Sequence, residues 1–372
     1  MIHVALDTNI YRKKPLLDSP EFKALSFLAK NKCVCLHIPF FVENEFKSHI
    51  EIEQKKKVES VLSTLNKICG STVFGPSTSD LSGVIQNICD TKDILVEERG
   101  NHFVQWASEL NAKRYGIDEK ETAAALSAYF AGNPPLKEPK IRNDIPDSFI
   151  FQSLLHIHDK DHVHIVVEDR NLREACNSAG MTCYKELSSF IESEEIKLLL
   201  QGKVDSDVLG ALESQISEYL NNNRSLLIDR IEKKLLSDEY NMISGDYIPG
   251  ESNEIYVSGV DKPYEIEFTD NIEHYGDSLF VVDFHAKVEL TYEFAVYKTD
   301  AYELDPKKYY FEDLNDHYFN VETTDVFIFG GRIELDYDID LESISSVSEL
   351  LTSLSEPELA IEELADFEIN SQ

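Results

Sequence analysis

The chain has 372 residues, of which 42% are hydrophobic, 10% aromatic and 28% charged, a globular composition with room for two domains. No apolar run approaches the ~18–20 residues that cross a bilayer, and the opening MIHVALDTNI lacks the basic and long apolar regions of a signal peptide. Six cysteines do not make a disulfide framework, and Cys33-Val34-Cys35 has no second pair at zinc-site spacing. We therefore expect a cytoplasmic protein without membrane segments, whose cysteines are small core residues.

The charge is unevenly distributed. The formal net charge of −34 opposes binding to nucleic acid, which is itself a polyanion. Residues 1–190, however, carry 23 Lys and Arg against 26 Asp and Glu, whereas residues 246–340 carry 6 against 24. Because several acids of the first half are candidate metal ligands, a bound divalent ion would shift its local charge towards positive. Nucleic acid thus stays a candidate partner of the first half only.

Short apolar runs alternate with helical patterns in the first half of the chain. The patterns predict strands at 2–6, 33–38, 163–167 and 181–184, and helices at 21–30, 41–69, 84–113, 118–131, 147–157 and 171–179. A stretch rich in Gly, Ser, Thr and Pro at 70–83 predicts a loop. Strands that alternate with helices predict an α/β fold with a parallel sheet flanked by helices.

The period of the apolar pattern changes in the second half. Apolar residues alternate with mostly polar ones over 280–296 and again over 327–339, which predicts antiparallel strands with one solvated face. The acidic, Leu-dotted end of the chain predicts an amphipathic helix. The expected organisation is an α/β domain at 1–190, a helical linker at 191–245, an antiparallel β-rich domain at 246–340 and an acidic C-terminal helix or tail at 341–372.

Four acids occupy the ends of separate elements in the first half. Asp7 ends the first strand and Asp169 the third, Glu45 lies in the first turns of the helix after the second strand, and Asp147 follows Pro146 at a helix start. Parallel sheets place functional groups at the carboxyl ends of their strands. Clustered carboxylates repel one another and call for a cation, and Mg²⁺ and Mn²⁺ choose oxygen ligands. Such an ion can activate a water for phosphodiester hydrolysis.

The segments that hold these acids resemble the PIN-domain nuclease family. The resemblance covers about residues 1–190 and is carried by the motifs Val4-Ala5-Leu6-Asp7-Thr8-Asn9, Ile38-Pro39 followed by Val42 and Glu45-Phe46, Asp144-Ile145-Pro146-Asp147, and Val166-Val167-Glu168-Asp169-Arg170-Asn171-Leu172. It implies a metal-dependent nuclease, with RNA favoured over DNA as substrate. By the same resemblance, Asp7, Glu45, Asp147 and Asp169 would hold Mg²⁺ or Mn²⁺, Thr8 and Asn9 would support these ligands, and Asp144 would stand beside Asp147 or replace it.

Two features depart from a minimal domain of this family. The stretch from about 70 to 140 is a longer helical insert, which resembles an enlarged bacterial branch and ends near Lys140 and Arg142. We hypothesise that these two cations contact substrate phosphates, since Arg offers a bidentate fork to phosphate oxygens. The resemblance does not reach the acidic β-rich domain, which we expect to bind a protein partner or restrain the nuclease. The oligomeric state is open, with a homodimer as one alternative.

Several alternatives stay open at this point. Glu43 rivals Glu45 as the ligand on its helix, Glu168 rivals Asp169, and Asp7 and Asp147 are also good helix caps. Lys140 and Arg142 are alternatively solvated charges. A nuclease of the same fold that acts on DNA, and a non-catalytic interaction module, are the competing functions. Histidines of the segment His156–His164 are better explained by a helix C-terminus than by zinc.

Overall fold

The structure, a computed structural model, describes residues 1–69, 78–136, 145–202, 204–244 and 254–369. The chain divides into two compact units, Met1–Leu200 and Gln201–Gln372, which are described separately. Within the described ranges, no helix is both long enough and apolar enough to cross a membrane. The predicted cations Lys140 and Arg142 and the predicted acid Asp144 lie outside the described residues.

The first unit alternates strands with helices, as its sequence pattern predicts. Its elements are β1 (Ile2–Leu6), α1 (Thr8–Lys13), α2 (Pro20–Lys30), β2 (Val34–Ile38), α3 (Phe40–Cys69), α4 (Thr78–Glu109), β3 (Lys113–Arg114), α5 (Glu119–Ala131), α6 (Ile145–Asp161), β4 (His164–Val166), α7 (Arg170–Ser178), β5 (Cys183–Tyr184), α8 (Leu187–Ile191) and α9 (Glu194–Gln201).

The strands of this unit form one parallel sheet in the order β3-β2-β1-β4-β5 among the described residues. Strand β1 is central and pairs with both β2 and β4, which explains why its residues Val4, Ala5 and Leu6 are fully buried. The predicted parallel α/β sheet flanked by helices is thus confirmed. The sequence did not indicate β3, because two exposed basic residues carry no apolar signal.

The helical insert belongs to the core of the first unit. Phe103 and Trp106 of α4 place their rings edge-on to the ring of Tyr11 in α1, with centroids 5.2 Å and 6.2 Å apart. Phe46 of α3 joins the same cluster at 5.4 Å from Tyr11. Buried aromatic pairs of this kind hold helices in fixed positions. The insert therefore supports the elements that carry Asp7 and Glu45.

The second unit combines helices with an antiparallel sheet. Its elements are α10 (Ser206–Asn222), α11 (Arg224–Leu235), β6 (Met242–Ser244), β7 (Glu254–Val260), β8 (Tyr264–His274), β9 (Leu279–Tyr297), β10 (Tyr310–Asp313), β11 (Tyr318–Asp336), α12 (Val347–Ser353) and β12 (Glu358–Ile369), with short 3₁₀ helices at Asp238–Tyr240, Ala301–Glu303 and Leu341–Ser343. The long strands β9 and β11 pair along their whole length. Strands β7 and β8 pair with β9, while β10 and β12 pair with β11, which confirms the antiparallel β-rich unit.

The helices expected to form a linker pack into the second unit instead. Leu212 and Ile216 of α10 and Leu227 and Ile231 of α11 are fully buried in one apolar cluster with the inward side chains of β9 and β11. A sheet with one apolar face must bury that face, and amphipathic helices are a common cover. The sequence shows the apolar stripes of these helices but not which surface they contact.

The acidic C-terminal segment differs from the predicted amphipathic helix. Among the described residues of this segment, the α-helix covers Val347–Ser353 alone, and Glu358–Ile369 forms β12 along the edge of β11. Leu359 and Leu364 are buried against the sheet. Strand β11 has unpaired backbone groups beyond β10, and an extended segment satisfies them whereas a helix cannot. That open edge lies distant in sequence, so local periodicity could not indicate it.

Candidate active site

Asp7 stands at the carboxyl edge of the parallel sheet, where β1 ends. Its backbone N–H donates to the carbonyl of Val166, the last residue of β4, at 2.9 Å. Asp169 follows Val166 by three residues and begins helix α7. Two of the predicted acids therefore leave adjacent strands at the same edge, as the rule for parallel sheets anticipates.

The carboxyl group of Asp7 is buried and electrostatically crowded. Only 5% of the residue is exposed, and its side chain makes no capping hydrogen bond to α1. Burial raises the pKa of Asp7 to about 6, and the charges of Glu45 and Asp169 add to the rise. The backbone N–H groups of Thr8 and Asn9 oppose part of it. The carboxylates of two other predicted acids therefore act electrostatically on Asp7.

The structure separates Glu45 from its neighbour Glu43. Glu45 accepts a hydrogen bond from the Thr8 hydroxyl at 2.8 Å, and its other carboxylate oxygen lies 3.7 Å from the guanidinium of Arg12. Glu43 instead forms a two-point ion pair with Arg114, at 2.8 Å and 2.5 Å. Glu43 is committed to a structural contact, whereas Glu45 faces the site beside Asp7.

Contacts also separate Asp169 from Glu168. Asp169 accepts the backbone N–H of Leu172 at 2.8 Å and so caps α7 with one oxygen. Glu168 pairs with the ammonium of Lys13 at 2.9 Å. Arg173 donates to the carbonyl of Glu168 at 2.9 Å, which fixes the turn between β4 and α7. Asp169 is therefore held in place by a cap that leaves its second oxygen for another partner.

Asp147 lies in the first turn of α6 and is half-buried. The last residue of α6, Asp161, lies 3.9 Å from His3 near the start of β1, so the helix ends at the amino edge of the sheet. Its first turn consequently lies towards the opposite edge, where Asp7 stands. The ring of Phe149 packs at a tilt of 31° against that of Phe41 in the first turn of α3, with centroids 4.3 Å apart. This ring contact holds the first turns of α6 and α3, near Asp147 and Glu45, close together.

The predicted acids lie towards the same edge of the sheet but do not form one compact cluster. Among the described residues, they do not form a group of three whose oxygens all lie within 4.8 Å of one another. Carboxylates at close range repel, and a low-dielectric site strengthens that repulsion. Beside burial, which is the main cause, the charges of Glu45 and Asp169 contribute to the raised pKa of Asp7. An all-oxygen set with a buried, crowded carboxylate fits a hard divalent cation.

Two further residues of the site were missed by sequence reasoning. Arg12 lies beside Glu45, and its Nε is buried with no hydrogen-bond partner in the described part of the chain. The hydroxyl of Tyr11 is likewise buried and unpartnered there, and burial together with Asp7 raises the pKa of Tyr11. The four-residue spacing of Thr8 and Arg12 on one helix face was the available signal for Arg12. No such signal existed for Tyr11.

Comparison with known proteins gives one match. Residues 4–172 match a family model described as a PIN domain. The matched stretch begins in β1 and ends in α7, so it includes all four acids. Neither a search of curated proteins nor a search of solved structures gave a match to this chain.

Proposed function

Since residues 4–172 of this chain are a PIN domain, and so belong to a family of metal-dependent nucleases, we propose that the first unit is an endonuclease that hydrolyses phosphodiester bonds, with RNA as the favoured substrate. Mg²⁺ or Mn²⁺ is its cofactor, held by Asp7, Glu45, Asp147 and Asp169. When bound, the ion activates a water for attack and neutralises charge that develops on the phosphate.

The observation that carries this proposal is the environment of Asp7. A carboxylate that is 5% exposed, with its pKa raised to about 6 by burial and by Glu45 and Asp169, is unfavourable in an uncharged scaffold. A non-catalytic module would gain stability by replacing it. The presence of this energetically unfavourable carboxylate therefore supports a role in which a cation offsets its charge.

The chain's own residues would prepare the site before substrate arrives. The Thr8 hydroxyl holds one oxygen of Glu45, which orients the other oxygen toward solvent and Arg12. Asp169 is fixed by its cap on α7. Preset positions of this kind reduce the reorganisation that the reaction requires. Glu45 is placed either to bind the ion or to orient the attacking water.

Cations near the acids would contact the substrate backbone. Arg12 lies beside Glu45 with 35% of its side chain exposed, so its guanidinium would donate a charge-assisted hydrogen bond to a phosphate oxygen. Lys140 and Arg142 keep the same expected role, which rests on the sequence alone. The acidic second unit keeps its expected role as a surface for a protein partner or a restraint on the nuclease.

Cleavage of matched oligonucleotides tests the proposal. The full chain is incubated with end-labelled RNA and DNA of one sequence, with Mn²⁺ or with a chelator. We expect metal-dependent internal cuts, faster in RNA, and their loss in Asp169→Asn and Asp147→Asn. Glu168→Gln is the matched control, because Glu168 is the adjacent acid but pairs with Lys13. Full activity of Asp169→Asn, or cleavage that persists in chelator, would contradict the mechanism, and faster cuts in DNA would contradict the RNA preference.

A further inference from the structure

A second cluster of metal-binding side chains lies apart from the four acids. It consists of His3, Cys35 and His37, whose donor atoms all lie within 4.8 Å of one another. His37 is fully buried, while His3 and Cys35 are half-buried. The two histidines contact directly, His3 Nδ1 to His37 Nε2, at 2.8 Å. Imidazole nitrogens and a thiolate sulfur are soft to borderline donors, unlike the all-oxygen set around Asp7.

The strand pairing places these side chains together. In the parallel pair of β1 and β2, His3 stands opposite Cys35 and Ala5 opposite His37. Alternate residues of a strand point to one face, so Cys35 and His37 share a face with His3. The cluster is therefore built on two neighbouring, hydrogen-bonded strands of the sheet, a rigid support that a metal site needs.

A carboxylate from helix α6 lies beside the two histidines. Asp161 Oδ2 lies 3.9 Å from His3 Nδ1 and 3.9 Å from His37 Nε2. In a tetrahedral zinc site with Zn–N bonds of ~2.05 Å, neighbouring nitrogens stand about 3.3 Å apart. The observed separations of 2.8 Å and 3.9 Å bracket that value. Asp161 lies outside the group whose donor atoms are all within 4.8 Å of one another, so its carboxylate would have to rotate towards Cys35 to become the fourth ligand.

We propose that His3, Cys35, His37 and Asp161 bind Zn²⁺ as a tetrahedral site with three soft or borderline donors and one carboxylate. Four protein ligands make the site closed, which is the form that structural zinc takes. The ion joins β1, β2 and the end of α6, and so supports the strand from which Asp7 projects.

Neighbouring groups orient the histidines of the cluster and affect their charge. The hydroxyl of Tyr115 lies 2.6 Å from His37 Nδ1, the nitrogen that faces away from the cluster. A partner on the distal nitrogen orients a ligand histidine and selects the tautomer whose other nitrogen binds metal. Burial lowers the pKa of His37 to about 4, and Lys113 lowers it further while Asp161 opposes. His3 shifts in the same direction for the same reasons, with a smaller contribution from the N-terminal amine.

Charge balance around the site is also suitable. Binding of a metal would displace the proton of the Cys35 thiol. One thiolate and one carboxylate then neutralise a divalent ion. Lys113 Nζ pairs with Asp161 Oδ2 at 2.9 Å. Because the Lys113 side chain is 46% exposed, it can keep this contact from the solvent side when a metal is bound.

The cluster is distinct from the acidic site. His3 precedes Asp7 by four residues of one strand, a separation of about 13 Å along the sheet. The two sites therefore share no ligand. The inference does not rest on the proposed nuclease activity, and its test needs no substrate.

Cobalt substitution tests the proposal on the full chain. The reduced, metal-free protein is titrated with Co²⁺ and its spectrum recorded, followed by displacement with Zn²⁺. We expect one tightly bound Co²⁺ with intense visible bands of tetrahedral geometry and a thiolate-to-cobalt charge-transfer band in the near ultraviolet. Cys35→Ser should lose the charge-transfer band, and the half-buried His3→Gln should weaken binding at least about 10-fold. Cys33→Ser, two residues earlier and hydrogen-bonded only to the Asn31 carbonyl, is the matched control and should keep the full spectrum.

Two results would overturn the proposal. One is a wild-type protein without a charge-transfer band at one Co²⁺ per chain, a measurement that does not depend on any variant folding. The other is a band that survives in Cys35→Ser or disappears in Cys33→Ser. Asp7→Asn separates the sites, because it should leave the cobalt spectrum unchanged while removing metal binding at the acids.

Discussion

Replacement of Asp7 by Asn should stabilise the metal-free protein while it abolishes cleavage. In the folded chain the pKa of Asp7 is raised from 3.8 to about 6, chiefly by burial. A raised folded-state pKa gives stability that is fully present below about pH 4 and is lost as the pH rises through about 6. A shift of about two units corresponds to about 3 kcal/mol at neutral pH. Because Asp7 is only 5% exposed, solvent screening reduces this little.

The only tryptophan makes this prediction measurable in the first unit alone. Trp106 packs against Tyr11 in the aromatic cluster beneath Asp7, so its fluorescence follows the unfolding of that unit. In chelator near pH ~8, Asp7→Asn should melt about 6–12 °C above the wild type, since 1 kcal/mol moves the Tm of a unit of this size by about 2–4 °C. Near pH ~4 the difference should shrink to a small fraction of this value, because Asp7 is then protonated in the folded state and about half protonated in the unfolded state.

Metal addition provides the complementary measurement. A divalent ion that binds only the folded state raises the Tm of the wild type according to its concentration and affinity. Asp7→Asn should show little of this rise, because it lacks the buried ligand. A variant that is less stable than the wild type in chelator near pH ~8, or one that gains as much as the wild type from Mn²⁺, would refute the electrostatic reasoning.

Four other expectations follow from named contacts. Glu45→Gln should reduce cleavage by about 10²–10⁴-fold at unchanged Tm. Glu43→Gln should keep cleavage but lower the stability of the first unit by about 1–2 kcal/mol, because the substitution removes a buried carboxylate and leaves the half-exposed guanidinium of Arg114 without its ion pair. Gly331→Ala should destabilise the second unit by about 1–3 kcal/mol in urea unfolding, since the new Cβ would stand 2.8 Å from neighbouring side-chain carbons. A fragment ending at residue 240 should bind an apolar dye far more than one ending at 200, because it exposes buried helix faces.

Each of these has a matched comparison within the chain. Glu43 and Glu45 serve as controls for each other, and a reversal of their effects would contradict the site assignment. Gly330→Ala is the control for Gly331→Ala, because its added Cβ would meet nothing closer than 3.5 Å. Equal losses in the two variants would contradict the packing argument. Equal dye binding by the two fragments would mean that the helices of 206–235 do not depend on the sheet.

The location of the predicted acids followed from local signals. Asp7 and Asp169 each end an apolar run, and a strand end in a parallel sheet points to one edge whatever the rest of the fold. Pro146 and an apolar stripe predicted the helix that begins near Asp147. Such signals lie within a few residues of the position they describe, which is why they could be recognised in order along the chain.

The choice between neighbouring acids needed distant residues. Glu43 is separated from Glu45 by its partner Arg114, which lies 71 positions away on β3. Glu168 is likewise occupied by Lys13, far back in the chain. An ion pair of this kind depends on which elements meet in space, and a sequence pattern contains no such distance.

By itself, the sequence determined most strands of the parallel sheet, the longer helices that flank it and the two sheet types, because hydrophobic periodicity and turn residues act over short separations. Only the tertiary structure decided what those elements contact: helices taken for a linker cover a sheet, an acidic tail becomes its edge strand, and His3 meets Cys35 and His37 across two paired strands. The physical reason is that open hydrogen-bonding edges, apolar faces and ligand clusters arise from pairing between distant segments. Their effect on a residue appears only after the chain has folded.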